Sequence, residues 1–508
     1  MADETTPCRC CAYPPTVGAL SGGGPAASTT AKPREPRRVK VWVSGDATRS
    51  DDQMRQISPT SAAPTSVAVI GCGHVGLVQA AGLASLGHRV VGVDREASYV
   101  DRLAAGDVPF HEPGLRDLVD AGVASDRLTF TTSYQVAMAA DVVFLCVDTP
   151  RSPTGAADVA NVRSAVLSLV EAAGPGSPVI VNKSTAPIGT AEMIESIVAD
   201  LDHRPRVAVN PEFLRQAHAV EDFLHPERIV IGASRPADAQ AVASLYSQLG
   251  GLRVLTDPRS AELIKYAANA FLATRISFVN ELARLAEAVG VQIDPVLEGM
   301  AADGRIGGQY LQPGIGFGGS CLPKDTAALR HLGQTAGLEM VMLSAVLEAN
   351  REARDGAVAT LRRELGGLAG RTIAVWGLTF KGGTDDTRDS PSVAIAETLQ
   401  NEGATIRAFD PSDSLRLPGR LRETLTSSPL EAVSGADALA ILTDWPEFAT
   451  VPLAAVRRAM AGELVFDGRN LLRPAQVERQ GFRYFGVGRP GIRVQMPALL
   501  APAGPVAA

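Results

Sequence analysis

A glycine-rich turn directly follows a short apolar strand pattern near residue 70. The run Val67–Ile70 is typical of a buried strand, and the next six residues read Gly-Cys-Gly-His-Val-Gly before an apolar helical stretch. Gly71 permits a tight turn, Gly73 lets backbone approach a pyrophosphate, and Gly76 lets the helix pack on the strand. Amide hydrogens and the dipole at the start of such a helix favour phosphate. The pattern predicts a βα unit that binds a dinucleotide.

An acidic residue directly follows the next apolar run. Asp94 follows Arg89–Val93, close to the spacing of roughly 20 residues at which a carboxylate accepts hydrogen bonds from an adenosine ribose. Because this carboxylate repels a 2′-phosphate, the sequence predicts NAD rather than NADP. Arg95 weakens that preference slightly, unless it is a solvated surface charge. His74 and Val75, which open the helix, belong to the same predicted cofactor site.

Apolar runs alternate with amphipathic stretches up to about residue 255, as in a parallel sheet with helices between its strands. The runs predicted as strands of this sheet are Val67–Ile70, Arg89–Val93, Asp141–Val147, Pro178–Val181, Arg206–Val209 and Arg228–Ile231. Ala261–Val289 is then a long proline-free run of helix formers. Strands of a second, smaller α/β domain are predicted at Thr372–Val375, Thr405–Phe409, Ala438–Leu442 and Leu464–Phe466.

The predicted fold is α/β, and 508 residues at roughly 150 per domain correspond to about three domains. We expect an N-terminal Rossmann-type, doubly wound parallel sheet over 65–257 and a central helical domain over 258–365. A smaller Rossmann-like α/β domain is expected over 366–491. Residues 1–64, with scattered prolines and no apolar periodicity, are predicted to be a disordered extension, and 492–508 a loose tail.

The charge balance limits the kinds of partner that the chain can bind. The chain carries 48 basic and 55 acidic residues, a formal net charge of −7, so no global basic field would hold nucleic acid. Val67–Gly87 lacks charged residues, but its glycines, Gln79 and His74 favour a buried βα unit over a membrane span. Six cysteines without the spacing of a secreted disulfide framework indicate a reducing, cytoplasmic location.

Three cysteines, Cys8, Cys10 and Cys11, lie in the N-terminal extension. A metal clip is one interpretation, but a fourth ligand is absent nearby and the spacing is not Cys-x2-Cys, so no metal site is predicted. The extension lacks a continuous apolar segment and is a poor match to a signal peptide. Met54, shortly before the first predicted strand, is an alternative start.

Cys321 lies in a polar, glycine-rich segment directly before a helical run. Pro323 suits a first helical turn, so Cys321 is predicted near a helix N-terminus. The helix dipole and Lys324 are both expected to lower the pKa of its thiol, as in a nucleophile. Cys72 and Cys146 lie in a glycine turn and a strand, and are predicted to be small buried residues, the commonest role of a lone cysteine.

Three polar residues share one face of the long predicted helix. Glu262, Lys265 and Asn269 recur at spacings of three and four residues. An ordinary solvated face has the same spacing, so from periodicity alone we expect these side chains to be exposed.

Beyond the glycine turn, separated motifs follow one another at Lys183–Pro187, Asn210–Leu214, Ala261–Asn269, Gly316–Asp325, Phe380–Lys381, Asp386–Arg388 and Asp467–Asn470. Together they resemble the UDP-glucose and GDP-mannose dehydrogenases, a family of nucleotide-sugar 6-dehydrogenases. The resemblance spans about residue 66 to about residue 490 and leaves out the N-terminal extension.

The resemblance implies an NAD-binding Rossmann domain, a helical centre and a C-terminal domain for the sugar nucleotide. It also implies two successive hydride transfers that convert a C6 alcohol into a carboxylate. An aldehyde bound to Cys321 as a thiohemiacetal presents the second hydride, its oxidation gives a thioester, and water then releases the acid.

Residue roles are implied by the matched motifs. Those implied for catalysis are Cys321 as nucleophile, Lys265 and Asn269 at the oxyanion, Asp325 as base or water holder, Glu212 in deprotonation or hydrolysis, and Thr185 in positioning water. Those implied for NAD are Gly71, Gly73, His74, Val75, Gly76, Asp94, Thr149, Thr185, Lys324 and Arg388. Those implied for the substrate are Glu212, Phe213, Leu214, Lys265, Asn269, Arg305, Phe317, Gly318, Phe380, Lys381 and Arg469.

A residue of the Arg305 type can reach a neighbouring subunit's site in this family, so a homodimer or larger homo-oligomer is implied. Two positions depart from the family pattern. Gln216 stands where an acidic residue is common, and an amide cannot take up a proton. Asp148 precedes Thr149-Pro150, where a small or amide residue is frequent and where a carboxylate would not favour a phosphate.

Three interpretations remain at this point. UDP-glucose, oxidised to UDP-glucuronate, is the favoured substrate. GDP-mannose and the UDP-N-acetylhexosamines are the alternatives within the enzyme class, and the motifs do not separate the first of these from UDP-glucose. A catalytically silent nucleotide-sugar-binding protein is the alternative from another class; the joint presence of Cys321, Lys265, Asn269 and Asp325 counts against it.

Overall fold

The computed structural model describes residues 41–43 and 64–490. Within these ranges the strands form a nine-stranded and a five-stranded sheet. The strands of the larger sheet are β1 Val41–Val43, β2 Ser66–Ile70, β3 Arg89–Val93, β4 Leu128–Thr131, β5 Val142–Leu145, β6 Val179–Asn182, β7 Arg206–Val209, β8 Arg228–Ala233 and β9 Leu252–Thr256. Those of the smaller sheet are β10 Thr372–Trp376, β11 Thr405–Phe409, β12 Ala438–Ile441, β13 Leu464–Asp467 and β14 Arg483–Gly486.

Helices connect these strands and fill the middle of the chain. Those of the first half are α1 His74–Ser85, α2 Ala97–Ala104, α3 Leu115–Ala124, α4 Tyr134–Met138, α5 Ala160–Glu171, α6 Thr190–Ile197, α7 Ala219–Leu224 and α8 Pro236–Ser244. The central helices are α9 Pro258–Val289, α10 Ile293–Ala301, α11 Leu322–Thr335 and α12 Val341–Leu365. The last are α13 Pro391–Asn401, α14 Gly419–Arg422, α15 Pro429–Val433, α16 Leu453–Ala459 and α17 Pro474–Glu478, with a 3-10 turn at Pro446–Thr450.

Six strands of the larger sheet are parallel and lie in the order β7-β6-β5-β2-β3-β4. This is the doubly wound order in which a dinucleotide binds beyond the carboxyl ends of the strands, where the winding reverses. That reversal lies between β2 and β5, and the glycine turn directly follows β2. The predicted α/β fold is confirmed, with a parallel N-terminal sheet, a helical centre and a second, smaller parallel sheet.

The direction of one strand contradicts the prediction that this sheet is parallel. The run Arg228–Ile231 lies in β8, which pairs antiparallel with β7 through Ala208↔Ala233 and Val209↔Gly232. The chain turns back after β7 through residues 210–227, which hold only the short α7, instead of crossing the sheet. β9 and β1 follow the direction of β8.

The strand β1 lies within the predicted disordered extension and pairs with β9 over Val41–Val43, a pairing that the sequence analysis did not predict. Cys8, Cys10, Cys11 and Met54, like the tail after residue 490, lie outside the described residues, so the predictions for them stay predictions. The remaining domain limits also stay predictions.

Two apolar layers cover the larger sheet. Phe144 and Leu145 are neighbours in β5 and are fully buried in opposite layers, as expected for a strand covered on both faces. In the smaller sheet the ring of Trp376 stacks on Phe448 with centroids 5.2 Å apart. Among the residues that the structure describes, no helix is both long and apolar enough to span a bilayer.

Candidate active site

The glycine turn has the geometry of a dinucleotide cradle. Gly71 has φ 86°, which a residue with a side chain rarely adopts. A Cβ at Gly76 would lie 1.8 Å from the carbonyl oxygen of Gly71, so the start of α1 packs directly on the turn. A Cβ at Gly73 would meet no atom within 4 Å, and this position faces open space. The residues present therefore fit a pyrophosphate that approaches the N-terminus of α1.

Asp94 is held against this turn. Its Oδ2 accepts a hydrogen bond of 2.9 Å from the backbone N–H of Cys72, and its Oδ1 accepts one of 3.3 Å from Glu96 N–H. The hydroxyl of Tyr99 donates to the carbonyl oxygen of Cys72 at 2.9 Å. The carboxylate is thus fixed beside the turn, where the sequence places the ribose of a dinucleotide.

His74 links the turn to a second loop. Its ring stacks on Phe110 with centroids 4.9 Å apart, and its Nε2 lies 3.0 Å from Oε2 of Glu112. Buried Glu112 also accepts hydrogen bonds of 2.8 Å from the N–H groups of Ala217 and Ala219, after β7. Sequence reasoning did not single out Glu112. Val75, also predicted for the cofactor, is partly buried and packs against the apolar layer that contains Phe144.

Three residues predicted for the cofactor or for water converge. Thr149 Oγ1 donates to the carbonyl oxygen of Thr185 at 2.6 Å. Lys324 Nζ lies 3.4 Å from Thr149 Oγ1 and donates to Asp325 Oδ1 at 2.7 Å. The loop that carries Thr185 is thereby connected to the start of α11. Asp148, next to Thr149, is exposed.

Cys321 directly precedes α11, with Pro323 in the first turn, as predicted. The predicted lowering of the pKa of its thiol is wrong, because burial and the negative charges of Glu212 and Asp325 outweigh Lys265 and raise this pKa. Solvent reaches the residue, but the protein around it desolvates the thiol. Lys324 is paired with Asp325 instead of facing Cys321 alone.

The other two cysteines of the described ranges, Cys72 and Cys146, are free and buried, as predicted. Burial raises the pKa of both thiols, that of Cys146 to about 12. Cys321 is therefore the accessible thiol among the residues that the structure describes.

Lys265 and Glu212 form a buried ion pair. Lys265 Nζ donates to Glu212 Oε1 at 2.9 Å, and Glu212 Oε2 accepts a bond of 2.6 Å from the N–H of Leu214. Burial opposes both charges, but the pair overcomes it: Lys265 lowers the pKa of Glu212, while Glu212, Cys321 and Asp325 raise that of Lys265. Both groups are ionised at neutral pH.

The helix face that bears Glu262, Lys265 and Asn269 is buried, so the exposed face expected from periodicity is wrong. Asn269 Nδ2 donates to Asp325 Oδ2 at 2.6 Å. Glu262 accepts bonds of 2.8 and 2.9 Å from the N–H groups of Gly189 and Ala191, at the start of α6. Polar atoms contributed by other loops satisfy this face, and spacing along one helix does not reveal them.

Phe213 lies between two cations. Its ring centroid is 3.9 Å from the guanidinium of Arg228 and 5.4 Å from Lys265 Nζ. The stacking of Arg228, at the start of β8, fixes the loop that carries Glu212 and Leu214. Arg228 was not predicted, although an arginine that opens a buried strand is a recognisable signal.

The cysteine loop is held from both sides. Asn350 Oδ1 accepts from the N–H of Phe317 at 2.7 Å, and its Nδ2 donates to the Phe317 carbonyl at 3.0 Å. A Cβ at Gly318 would lie 2.4 Å from the carbonyl oxygen of Asp389. Phe317 is buried at this junction between the loop and the segment before α13. Asn350, the polar residue among the buried residues of α12, was not predicted.

Arg469 and Lys381 contact backbone carbonyls near the same loop. Arg469 donates to the carbonyl oxygens of Leu442 at 2.8 Å, Phe380 at 3.1 Å and Gly316 at 3.4 Å. Lys381 Nζ donates to the carbonyl of Gln216 at 2.5 Å. These contacts bring Phe380, Lys381 and Arg469 together at the carboxyl ends of β10, β12 and β13.

The amide of Gln216 connects the segment after β7 of the larger sheet to the segment between β10 and α13 of the smaller sheet. Its Nε2 donates to Asp386 Oδ2 at 3.0 Å, and the same carboxylate accepts two bonds, of 2.9 and 2.7 Å, from Nε and Nη2 of Arg388. Arg305, in contrast, has a side chain that is 90% exposed and pairs with Asp303. Within the described residues it forms no hydrogen bond or ion pair with the other predicted substrate residues.

Comparison with known proteins agrees with this arrangement. Three domain models of the UDP-glucose/GDP-mannose dehydrogenase family match the chain: the NAD binding domain at residues 65–250, the central domain at 259–352 and the UDP binding domain at 374–474. The UDP-glucose 6-dehydrogenase of Bacillus subtilis is 40% identical over 439 residues, covering 85% of this chain and 95% of the relative. That of Pseudomonas aeruginosa is 42% identical over 445 residues, covering 83% and 97%.

Solved structures are similar as well. A UDP-glucose dehydrogenase from Pyrobaculum islandicum has a TM-score of 0.77 and 38% identity, covering 85% of this chain and 99% of that one. A UDP-D-ManNAc dehydrogenase from Pyrococcus horikoshii has a TM-score of 0.75 and 29% identity, covering 84% and 99%. On the family models and these identities, the chain belongs to the UDP-glucose/GDP-mannose dehydrogenase family.

Proposed function

We propose that this chain is an NAD-dependent nucleotide-sugar 6-dehydrogenase that oxidises UDP-glucose to UDP-glucuronate. The observation that carries the proposal is one accessible thiol, Cys321, placed at the start of α11 beside two buried polar pairs. These pairs are Lys265 with Glu212 and Asn269 with Asp325. A nucleophile, a cation and carboxylates within one group are what a two-step oxidation through a thioester requires.

In the first oxidation, the C6 hydroxyl loses a proton and C6 loses a hydride, which gives the aldehyde. Lys265 remains cationic in its buried site, so its ammonium stabilises the oxygen as negative charge develops. Asn269 supports the same oxygen, and Glu212, ionised beside Lys265, receives the proton. Bound NAD supplies the hydride acceptor in both oxidations.

In the second oxidation, Cys321 Sγ bonds to the aldehyde carbon. Because the pKa of the thiol is raised, its proton has to pass to a base as the bond forms. Asp325 is that base, and the proton then goes to the aldehyde oxygen to complete the thiohemiacetal. Loss of the second hydride from C6 to NAD, with return of the hydroxyl proton to Asp325, gives the thioester.

Hydrolysis completes the reaction. Glu212 first passes the proton that it took up in the first oxidation to solvent. Thr185 then positions a water, Glu212 takes a proton from this water, and the hydroxide adds to the thioester carbon. The carbon–sulfur bond then breaks, and the Cys321 sulfur takes the proton held by Asp325 and becomes a thiol again. The released acid loses its proton to solvent and leaves as the carboxylate. The aldehyde stays bound throughout, because it is attached to the protein before it is oxidised.

The motif resemblance, together with the contacts described above, supports the following assignment of binding residues. We assign NAD to Gly71, Gly73, His74, Val75, Gly76, Asp94, Thr149, Thr185, Lys324 and Arg388. We assign the sugar nucleotide to Glu212, Phe213, Leu214, Lys265, Asn269, Arg305, Phe317, Gly318, Phe380, Lys381 and Arg469. UDP-glucose is favoured over a UDP-N-acetylhexosamine because relatives named for glucose reach 40–42% identity, against 29% for the UDP-D-ManNAc enzyme.

We also propose that the enzyme is a cytoplasmic homodimer or larger homo-oligomer. Phe271, Phe278 and Leu285 lie seven residues apart on α9 and are 62%, 50% and 57% exposed. Exposed apolar residues spaced by seven along a 32-residue helix can pack against the same helix of a second copy. The reduced state of Cys72, Cys146 and Cys321 is in keeping with a reducing compartment.

Counting NADH for each sugar oxidised tests the proposal. Purified protein with limiting UDP-glucose is expected to form two NADH per sugar, and GDP-mannose or UDP-N-acetylhexosamines much less. Cys321→Ser is expected to lose this yield while UDP-glucose still binds and the melting temperature stays unchanged. One NADH per sugar in the wild type, or an unchanged yield in the variant, would overturn the thioester route.

A further inference from the structure

Lys183 is a buried cation to which the mechanism above gives no task. It directly follows β6 and is 5% exposed. Its Nζ donates to Asn210 Oδ1 at 3.1 Å, lies 3.5 Å from the Asn210 carbonyl oxygen, and is 5.9 Å from the centroid of the Phe144 ring. Within the part of the chain that the structure describes, no carboxylate pairs with this ammonium. Burial of an ammonium without a paired carboxylate destabilises the folded state.

Asn210 is held in a single orientation. Besides Lys183, its Oδ1 accepts from the hydroxyl of Tyr246 at 2.7 Å, and its Nδ2 donates to the carbonyl of Val230 at 2.7 Å. The Tyr246 hydroxyl in turn accepts from Gln79 Nε2 at 2.7 Å. Every side-chain polar atom of Asn210 is therefore engaged. Asn210 is separated from Glu212 by one proline, so the position of Asn210 constrains the position of the Glu212 backbone.

Lys183 also acts electrostatically on Glu212. The groups that face its ammonium are the thiol of Cys146, the carboxylate of Glu212 and the ammonium of Lys265. Burial lowers the pKa of Lys183 to about 8, so it is cationic at neutral pH, and its charge lowers the pKa of Glu212. Glu212 thus lies under the influence of two buried cations, one of which bonds to it and one of which does not.

We propose that Lys183 is a positioning residue that acts through Asn210 and Glu212. It anchors the turn before Glu212 and keeps that carboxylate ionised while the charge of Lys265 is directed to the reacting oxygen. The inference rests on the proposed role of Glu212 as the proton acceptor. When Lys265 stabilises the negative charge on the substrate oxygen, it stabilises the Glu212 carboxylate less. The positive charge of Lys183 then keeps the pKa of Glu212 low.

Three variants separate charge from hydrogen bonding. Lys183→Gln keeps a donor for Asn210 without the charge, Lys183→Met removes both, and Lys183→Arg keeps the charge. Without that charge the pKa of Glu212 rises, so the acidic limb of the pH profile of kcat is expected to move up by roughly one pH unit in Lys183→Gln and Lys183→Met. Lys183→Arg is expected to restore it. Once the pH exceeds the pKa of Glu212 in both proteins, the profiles of Lys183→Gln and wild type are expected to coincide.

Two controls distinguish this inference from others. Tyr246→Phe removes one bond to Asn210 without a change of charge, and is expected to leave the acidic limb at its wild-type pH. Melting temperatures identify any variant that is merely destabilised. An acidic limb that does not move in folded Lys183→Gln, or a loss of kcat that is equal at every pH, overturns the role of Lys183. An acidic limb that persists in Glu212→Gln instead overturns the role of Glu212 in the proposed function.

Discussion

The ammonium of Lys265 lies 2.9 Å from Oε1 of Glu212, and both side chains are buried. Lys265 comes from α9 and Glu212 from the loop after β7, so the pair connects the central helices to the cofactor lobe. Each charge is maintained in its buried site largely by the other. Function and stability therefore depend on the same contact.

Removal of one partner is expected to destabilise the fold. Lys265→Met leaves the Glu212 carboxylate buried without its cation, and we expect a loss of about 3–5 kcal/mol in the free energy of unfolding at pH 7. The double variant Lys265→Met, Glu212→Gln is expected to recover much of it. The pKa of Glu212 is lowered in the fold, so the contribution is present above its usual pKa and disappears as the pH falls through the lowered value. Urea unfolding of the single and double variants at several pH values measures these free energies. If the losses of the two single variants simply add in the double variant, the expected coupling is absent.

Alkylation of Cys321 is expected to be slow in the ligand-free protein. Because the pKa of the thiol is raised, iodoacetamide at pH 7.5 should react more slowly than with a solvated cysteine, and the rate should increase toward alkaline pH. Glu212→Gln removes a negative charge and should accelerate the reaction on the order of tenfold, whereas Lys265→Met should slow it. Peptide mass mapping assigns the modified residue. Fast wild-type alkylation at neutral pH would mean that the thiol is already ionised.

The cofactor preference is expected to depend on Asp94. Wild-type kcat/KM should be greater for NAD than for NADP by roughly 100-fold, because the carboxylate repels a 2′-phosphate. Asp94→Asn keeps an acceptor for the Cys72 N–H and should narrow the ratio by roughly tenfold. Glu96→Gln, at an exposed carboxylate two residues on, serves as the matched control. Equal efficiency with both cofactors in the wild type would refute the assignment.

Glu262 is expected to make stability depend on pH near neutrality. Burial raises its pKa from 4.5 to about 7, so between these values the folded state binds more protons than the unfolded state and stability falls as the pH rises. Relative to Glu262→Gln, the wild type should lose on the order of 3 kcal/mol across this window. Glu281→Gln, at an exposed position of the same helix, provides the comparison. The difference should appear in urea unfolding at pH 5 and pH 8, and a constant difference would exclude titration of Glu262.

The apolar line on α9 is expected to hold two copies together. Phe271→Glu with Phe278→Glu introduces like charges into that line and should shift the protein to monomers in sedimentation velocity. Val136→Glu, at a residue of α4 that is 48% exposed, is the control and should leave the assembly unchanged. Dimers that persist in the double variant would place the interface on another surface.

Much of the fold could be predicted from the sequence, because buried parallel strands are apolar runs. All ten predicted strands exist. The strands β4, β9 and β14, which alternate or carry polar residues, were not predicted, and neither was the three-residue strand β1. The reversed direction of β8 could not be predicted either. Its apolar run is the same in both directions, and only the short path after β7 determines the reversal.

The motifs selected several residues that the structure brings close together, but not their electrostatics; the roles of these residues stay predictions. The motif order pointed to Cys321 and Lys265, but the sign of the thiol pKa was wrong because Glu212 and Asp325 approach from distant parts of the chain. Glu112 and Asn350 were not predicted, since each acts on a backbone loop far from it in sequence.

The glycine turn separates two requirements that a motif search treats as one. A Cβ at position 76 would collide with the chain's own backbone, whereas a Cβ at position 73 would meet no atom of the chain within 4 Å, on the side where we propose that the cofactor binds. A relative that retained glycine at the former and acquired a bulky side chain at the latter would keep this architecture and lose its cofactor. When genomes are surveyed for active members, the second glycine is therefore the informative one, and the third reports only that the chain can fold.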